Sequence, residues 1–114
     1  MRLTGKKILT KLKLKETGHT KLLREIDQLI SDLEDNDFHS FEELRSLRPD
    51  ADRVHHEGFY FFNINIHRTL ILVEIEANGE ATIVWAENLQ EYERIFKNNK
   101  AVIEKWLKNH GWVN

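Results

Sequence analysis

The first half of the chain repeats apolar residues at the spacing of an α-helix. Between positions 20 and 34, apolar side chains recur every three or four residues and form one stripe, with polar residues opposite. This pattern predicts an amphipathic helix over residues 20–34. The apolar positions within residues 8–12 predict a second helix over residues 6–15, and Thr17-Gly18 separates the two helices.

A third helix is predicted by a capping signal and not by a long apolar stripe. Ser40 is followed three residues later by Glu43, a pattern in which the two side chains accept the first free backbone N–H groups of a helix. Pro49 restricts the residue before it to extended conformations. A short helix is therefore expected to begin at Ser40 and to stop before Pro49.

The second half of the chain changes to the two-residue period of β-strands. Residues 58–66 alternate in this way, and residues 69–77 and 80–87 form two further β-rich runs. Asn78-Gly79 lies between these two runs and is a strong signal for a two-residue hairpin turn. A turn of this kind predicts the register of the whole hairpin.

The predicted register gives the hairpin two different faces. One face pairs Val73 with Val84 and Ile71 with Ala86, so it is almost wholly apolar and must be covered by helices. The other face carries Arg68 and mixes apolar with acidic side chains. We expect this second face to stay half open.

Helical spacing returns after Asn88 and continues almost to the end of the chain. Asn98-Asn99 can split this region in two, which places an additional C-terminal helix at residues 97–110. The order of elements predicts an α+β fold, with N-terminal helices packed on an antiparallel β-meander that is followed by a C-terminal helix. Because no internal repeat or linker interrupts it, we expect residues 1–114 to form a single domain.

Composition narrows the class of protein. The chain has 114 residues, no cysteine and a formal net charge of −2, so disulfides and cysteine-based zinc sites are excluded. Its uninterrupted apolar runs reach four residues, far fewer than the roughly 20 that span a bilayer. The first 15 residues contain no apolar stretch of signal-peptide length, and we therefore expect a cytoplasmic location.

The near-neutral net charge conceals a segregation of basic and acidic residues along the chain. Residues 1–15 hold six basic and no acidic side chains, residues 25–52 hold ten acidic and two basic, and residues 94–108 hold five basic and one acidic. Each run is compatible with the solvated side of an amphipathic helix. The alternative is that both basic ends converge on a polyanion beside Arg68, which would bring Lys6 and Lys97 to its side.

Arg68 is the strongest candidate for binding an anion. Strand alternation places it on the half-open face, and the predicted register sets it opposite position 89, with Glu87 diagonal to it and Tyr92 less than one helical turn beyond. A guanidinium can hold a phosphate through two hydrogen bonds, and a phenol or carboxylate can move a proton. The competing interpretation is a surface ion pair between Arg68 and Glu87, with Tyr92 in the core.

The six histidines do not predict a metal site. No two of them have the i, i+4 spacing of a helical zinc site, so we expect no metal centre. His67 is the one candidate for acid–base chemistry because it adjoins Arg68. Strand alternation nevertheless directs it to the core-facing side.

Several short motifs, taken in order, resemble those of HigB toxins, which belong to the RelE/ParE superfamily of type II toxin–antitoxin systems. The resemblance covers residues 1–96, and the order and spacing of the motifs carry it. The motifs are MRLTGKKIL at residues 1–9, DFHSFEEL at 37–44, YFFNI at 60–64, RTLI at 68–71 and EYERI at 91–95.

The resemblance implies a bacterial endoribonuclease that cuts mRNA at the ribosomal decoding site, needs no metal or cofactor, and is held inactive by a helix-turn-helix antitoxin. In such an enzyme the RNA 2′-hydroxyl attacks the neighbouring phosphate. Arg68 matches the family's central arginine and is assigned to the phosphate. Tyr92 and Glu93 match a tyrosine–aspartate pair, and either could orient the 2′-hydroxyl or relay a proton.

The same resemblance suggests which residues surround this chemistry. Lys6, Lys7 and Lys97 are expected to contact the RNA backbone in a salt-sensitive manner. His67 and Glu87 are assigned possible supporting roles.

The chain also departs from the family pattern. Asn88-Leu89 occupy the positions of a threonine–histidine pair, and a leucine cannot transfer protons. This departure leaves a second hypothesis open, a non-nucleolytic binding protein on the same fold, such as a gyrase inhibitor or a toxin that has lost catalysis. A third hypothesis is an unrelated α+β interaction domain.

Overall fold

The computed structural model describes residues 1–76 and 79–114. The described part of the chain contains five helices and one five-stranded sheet. In chain order the elements are β1 (Arg2–Thr4), α1 (Lys6–Lys15), α2 (Thr20–Glu34), α3 (Phe41–Leu47), β2 (Asp52–His55), β3 (Phe59–Ile64), β4 (His67–Glu74), β5 (Glu80–Asn88), α4 (Leu89–Phe96) and α5 (Lys100–Asn109).

The first three helices lie where the sequence predicts them, and local capping explains their limits. The Nδ1 atom of His19 accepts a hydrogen bond from the backbone N–H of Leu22, which caps α2. At α3 the hydroxyl of Ser40 accepts from the N–H of Glu43, while the carboxylate of Glu43 accepts from the N–H of His39. The capping box therefore forms, with its return bond shifted one residue toward the N-terminus.

The sheet has the strand order β1-β5-β4-β3-β2, and strands β2 to β5 form the predicted antiparallel meander. The additional strand β1 pairs in parallel with β5, where Arg2 lies opposite Glu80. The sequence pattern did not indicate β1 because three residues are too few to display a period. The α+β fold class is confirmed, and the sheet is mixed.

The predicted register of the β4–β5 hairpin is wrong. Val73 lies opposite Ala81 and not Val84, and Ile71 lies opposite Ile83 and not Ala86. Asn78 of the predicted turn, together with Ala77, lies outside the described residues, and the first pair of the described ladder joins Glu74 to Glu80. The turn signal thus did not set the register.

A β-bulge then restores the predicted alternation nearer the end of β5. Ile71 lies opposite Ile83, whereas Leu70 lies opposite Trp85, so Val84 is the extra residue of β5. Val84 and Trp85 both belong to the same apolar cluster as Leu70. Beyond the bulge, the residues of β5 face the sides that the sequence analysis assigned to them.

Both faces of the sheet carry a buried core, so the expected half-open face is in fact covered. One core joins α1, α2 and α3 to the first face through residues such as Leu9, Ile26 and Leu44. The other joins α4 and α5 to the second face through Phe96 and Leu107. The side chains on the second face are apolar enough to require this cover.

The C-terminal region divides into two helices as the paired asparagines predict. Lys97 and Asn98 adopt left-handed backbone conformations with φ of 52° and 47°, and α5 begins after them. Asn99 caps α5 by accepting from the N–H groups of Ala101 and Val102. Among the residues that the structure describes, no helix combines the length and hydrophobicity needed to traverse a bilayer.

Candidate functional site

Arg68 lies in a row of polar residues across one end of the sheet. It is opposite Glu87 of β5 on one side and Asn63 of β3 on the other. The sequence analysis placed Arg68 opposite position 89, and the observed register corrects this. All three side chains share the face of the sheet that α4 covers, because Phe61 and Leu70 on the same face belong to the α4 core.

The guanidinium of Arg68 rests on two aromatic rings. Its Cζ atom lies 4.5 Å from the ring centre of Tyr92 and 5.9 Å from that of Phe61, within the range of cation–π attraction. Within residues 1–76 and 79–114, no carboxylate forms an ion pair with Arg68, and its buried Nε atom has no hydrogen-bond partner. The rings thus hold a half-buried cation in place without neutralising it.

Glu87 does not form the ion pair with Arg68 that the competing interpretation expects. Its carboxylate pairs with the ammonium group of Lys15 at 3.3 Å. The surface ion pair with Arg68 is therefore wrong for the described residues, although Tyr92 does lie in the core, with 3% of its surface exposed. Lys15 was not among the predicted site residues because its helix precedes β5 by more than 60 positions.

Tyr92 presents a neutral phenol whose hydrogen atom is already engaged. Its hydroxyl donates to the Oδ1 atom of Asn98 at 3.0 Å. Burial raises the pKa of Tyr92 above its ordinary value of 10.0, the Arg68 guanidinium opposes this rise, and the carboxylates of Asp52 and Glu93 add to it. The phenol therefore stays protonated at neutral pH.

Glu93 of α4 and Lys97, the residue that follows α4, lie on the same side of the sheet as Arg68. Both side chains are exposed, and the backbone N–H of Lys97 donates to the carbonyl oxygen of Glu93 at the end of the helix. Glu93 is near enough to Tyr92 for its charge to act on the phenol. The structure thus brings Arg68, Tyr92, Glu93 and Lys97 to one side of the sheet.

Lys6 and Lys7 do not join this group, and the expected convergence of Lys6 with Lys97 beside Arg68 is wrong. Both residues begin α1, which packs against the opposite face of the sheet, and Lys6 forms an ion pair with Glu34. From Lys6 to Lys15 the helix rises about 14 Å. It is consequently Lys15, at the far end of α1, that comes closest to the Arg68 row.

His67 points away from Arg68, as strand alternation predicts. It is 2% exposed, and its Nε2 atom lies 3.8 Å from a carboxylate oxygen of Glu16, the residue that follows α1. Burial lowers the pKa of His67 below 6.5, and the nearby Glu16 carboxylate opposes this shift. Its contacts with Glu16 and His19, at the ends of α1 and α2, lie on the face of the sheet opposite Arg68.

Asn88 has a structural explanation for its identity, whereas nothing in the structure explains Leu89. The Oδ1 atom of Asn88 accepts from the N–H of Glu91 at 2.9 Å and so caps α4. Leu89 is the first residue of α4 and is 42% exposed. The position where the resembled family has a histidine therefore presents an exposed aliphatic side chain near Arg68.

His55, His56 and Glu57 form the one cluster of possible metal ligands that the described ranges contain, with ligand atoms within 4.8 Å of one another. However, Nδ1 of His55 accepts a hydrogen bond from the N–H of Glu57, which occupies that lone pair. The cluster lies at the β2–β3 turn and not in the Arg68 row. The absence of a metal centre stays a prediction.

A small cleft of about 210 Å³ reaches Lys15 and Glu87 beside the Arg68 row, whereas two larger clefts lie apart from Arg68. One of about 620 Å³ is lined by β2 and the start of α5, and another of about 350 Å³ adjoins Tyr60 and Arg53. The row at the end of the sheet is instead a partly exposed surface, in which Asn63 is exposed and Arg68 and Glu87 are half-buried. Such a surface suits an extended polymer better than an enclosed small molecule.

Comparison with known proteins identifies a family whose model matches this chain. Residues 23–95 match a family model described as HigB_toxin, a RelE-like toxic component of a toxin-antitoxin system. A search of curated proteins gave no match. The matched segment includes Arg68, Tyr92 and Glu93, and it ends before Lys97 and α5.

Proposed function

The chain belongs to the HigB toxin family, the RelE-like toxic components of toxin-antitoxin systems, and from this premise we propose that it is an endoribonuclease that cuts mRNA on the ribosome. We assign no step of the reaction to a metal or cofactor. Its place of action would be the cytoplasm, where ribosomes translate.

One observation carries the proposal, the half-buried and unneutralised guanidinium of Arg68 in the polar row at the end of the sheet. Two aromatic rings hold it, and the carboxylate directly opposite, Glu87, is occupied by Lys15. A phosphate that reaches this surface gains a partner with up to two parallel N–H···O bonds. The increasing negative charge of a phosphorane would be stabilised by the same group.

The proposed reaction is a transesterification within the RNA. The 2′-oxygen forms a bond to the adjacent phosphorus, the bond from phosphorus to the 5′-oxygen breaks, and the products are a 2′,3′-cyclic phosphate and a free 5′-hydroxyl. We assign the phosphate to Arg68, the acceptance of the 2′-hydroxyl proton to the exposed carboxylate of Glu93, and a hydrogen bond from a neighbouring group of the same nucleotide to the oxygen of Tyr92. The leaving 5′-oxygen takes a proton from water.

Contacts to the RNA backbone are assigned to basic residues at the rim. Lys97 is exposed on the α4 side, whereas Lys15 is engaged by Glu87 and is assigned no contact to the RNA. Lys7 is exposed but lies at the other end of α1, so its contact would be to a more distant part of the strand. Lys6 is engaged by Glu34 and has the weakest support.

The partial exposure of the site supports dependence on the ribosome. Arg68 lines neither of the two larger clefts, so the fold alone offers little to position the RNA. A ribosome that holds mRNA in an extended form would supply that positioning. We further propose that a helix-turn-helix antitoxin inhibits the protein by covering this surface.

The test is inducible expression in bacteria with growth and mRNA 5′ ends followed together. Arg68→Ala is compared with Arg68→Lys and with Arg24→Ala, a control at an exposed arginine of α2. We expect wild type and Arg24→Ala to arrest growth and cut translated mRNA. Arg68→Ala should lose about a hundredfold or more in cutting, and Arg68→Lys should recover only part, because an ammonium group cannot form the paired contact.

Different outcomes would contradict the proposed nuclease activity and the assignment of Arg68. Absence of cutting by the wild type, with growth arrest and intact mRNA, would contradict the nuclease. Full cutting by Arg68→Ala, with circular dichroism and thermal unfolding unchanged, would contradict the assignment of Arg68.

Leu89 favours a second candidate, a toxin on the same fold that binds its target without cutting RNA. The exposed leucine adds apolar contact where a proton-transferring histidine is expected, and the acidic middle of the chain is unsuited to RNA. Growth arrest with intact mRNA and supercoiling-defective DNA would select a gyrase-directed inhibitor.

A further inference from the structure

The hydroxyl of Tyr92 is held by a residue outside the segment that matches the family. The family match ends at residue 95, and Asn98 lies beyond it at the junction of α4 and α5. We infer that Asn98 is a positioning residue that commits the Tyr92 hydroxyl as a donor and thereby leaves its oxygen as an acceptor toward the RNA. The catalytic consequence of this inference rests on the proposed function.

The hydrogen bond itself defines the roles of the two groups. A phenol has one hydrogen atom, and that atom points at the Oδ1 atom of Asn98 at 3.0 Å. The remaining lone pairs of the phenol oxygen can accept hydrogen bonds, and the Arg68 guanidinium is one donor to them. An RNA hydroxyl or amino group other than the attacking 2′-hydroxyl that donates to this oxygen is oriented, but it does not receive a proton from it.

The backbone around Asn98 explains why its side chain stays in this place. Lys97 and Asn98 both adopt left-handed conformations, which asparagine tolerates better than most residues. Hydrogen bonds fix both sides of the junction, because the N–H of Lys97 donates to Glu93 and the N–H of Asn99 donates to Phe96. The left-handed pair turns the chain sharply and places Asn98 beside the ring of Tyr92.

The packing of α5 extends this restraint to the rest of the fold. Ile103 and Leu107 are buried in the second core, and the ring of Trp106 contacts that of Phe96 with centres 5.2 Å apart. Asn99 ties the start of α5 to the junction through its cap. The helix beyond the family match therefore contributes to the geometry at Tyr92 and is more than a covering for the sheet.

The hydrogen bond to Asn98 should shift the pKa of Tyr92 in a direction that can be measured. A hydrogen bond from the neutral phenol to an acceptor favours the protonated form and so raises its pKa. Loss of the Asn98 acceptor should therefore lower the phenol pKa, even though the ring stays buried and Arg68 stays beside it. A carboxylate at the same place should raise it.

The experiment compares Asn98→Gly with Asn98→Asp in the full chain. Glycine keeps the left-handed backbone without an amide, and aspartate keeps an acceptor. Val102→Ala in α5, a half-buried position away from the hydroxyl, controls for small changes in helix packing. The phenol is titrated through its ζ-carbon by NMR, which is practical because the chain has two tyrosines, and Tyr92→Phe assigns the signal.

We expect the Tyr92 pKa to fall in Asn98→Gly, to rise in Asn98→Asp and to stay constant in Val102→Ala. In ribosome-dependent cleavage assays we expect Asn98→Gly to lower kcat about tenfold with little change in KM, and Asn98→Asp to restore most of this loss. In the Tyr92→Phe background, Asn98→Gly should have little further effect, because the two residues act through one bond.

Two results would overturn the inference. One is a Tyr92 pKa that is unchanged in Asn98→Gly, and the other is an active wild type whose kcat is unaffected by that substitution. If the wild type cuts no RNA, the proposed function fails, and the titration alone then decides whether Asn98 fixes the hydroxyl.

Discussion

Arg68 and Glu87 face each other across β4 and β5, yet the carboxylate of Glu87 pairs with Lys15 of α1 and not with Arg68. Lys15 thus keeps the carboxylate of Glu87 away from Arg68, the candidate phosphate-binding residue. The state of Arg68 therefore depends on a lysine contributed by a helix on the far side of β5.

The first prediction concerns this diversion. Lys15→Ala should free Glu87 to approach Arg68 and so weaken RNA cleavage by about two- to fivefold, the range expected for an exposed ion pair. Lys15→Ala combined with Glu87→Gln should recover activity, because a neutral amide does not compete with phosphate. Cleavage rates of the two single variants and the double variant test this, and equal loss in the double variant would contradict it.

The second prediction concerns Gly5, which links β1 to α1. Its φ is +76°, and a Cβ atom there would lie 2.6 Å from the carbonyl oxygen of Ile83. Gly5→Ala should lower the free energy of unfolding by more than about 2 kcal/mol, because both backbone strain and a backbone clash oppose it. Urea unfolding measures the loss.

Gly18→Ala is the matched control for this substitution. Gly18 has no neighbour within 4 Å of an added Cβ atom, so the unfolding free energy should change by at most about 0.5 kcal/mol. Similar values for the two variants would contradict the close approach of Gly5 to β5.

The third prediction concerns the contribution of α5 to stability. Ile103 is 2% exposed and lies in the second core, so Ile103→Ala should cost about 2–5 kcal/mol of unfolding free energy. The adjacent Val102 is half-buried, and Val102→Ala should cost less. If chemical unfolding shows no loss for Ile103→Ala, α5 does not belong to the cooperative core.

The fourth prediction is a pH dependence that arises at His67. Burial lowers its pKa in the folded protein below 6.5, so below this pH the unfolded chain binds a proton that the folded protein does not. The free energy of unfolding should therefore fall as the pH drops through 6.5 toward the folded-state pKa, and it should be unaffected by this group at higher pH.

His67→Gln isolates this contribution from those of the other histidines. The difference in unfolding free energy between wild type and His67→Gln should shift against the wild type between pH 7.5 and pH 5.5. A pH-independent difference would show that His67 titrates alike in the folded and unfolded states.

Much of the candidate site was predictable, because the residues that carry it are close together in the chain or follow strand alternation. The side of the sheet that Arg68 occupies, the opposite orientation of His67 and the position of Tyr92 within a helix all follow from local periods. The role of Lys15 and the hydrogen bond to Asn98 did not follow. Each depends on a side chain that packing brings to the site, and no sequence spacing signals such contacts.

Residues within a few positions of one another were enough to specify the helices α1 to α3, the split between α4 and α5, and the α+β class. Capping by residues such as Asn99, apolar periods and the left-handed backbone at Asn98 all act locally. Tertiary packing decided the pairing of β1 with β5, the hairpin register and the bulge at Val84. The physical reason is that register depends on which side chains best fill two separate cores at once, and a turn signal contains no information about those cores. Tertiary packing also decided that Glu87 pairs with Lys15, which leaves Arg68 without a carboxylate partner among the described residues.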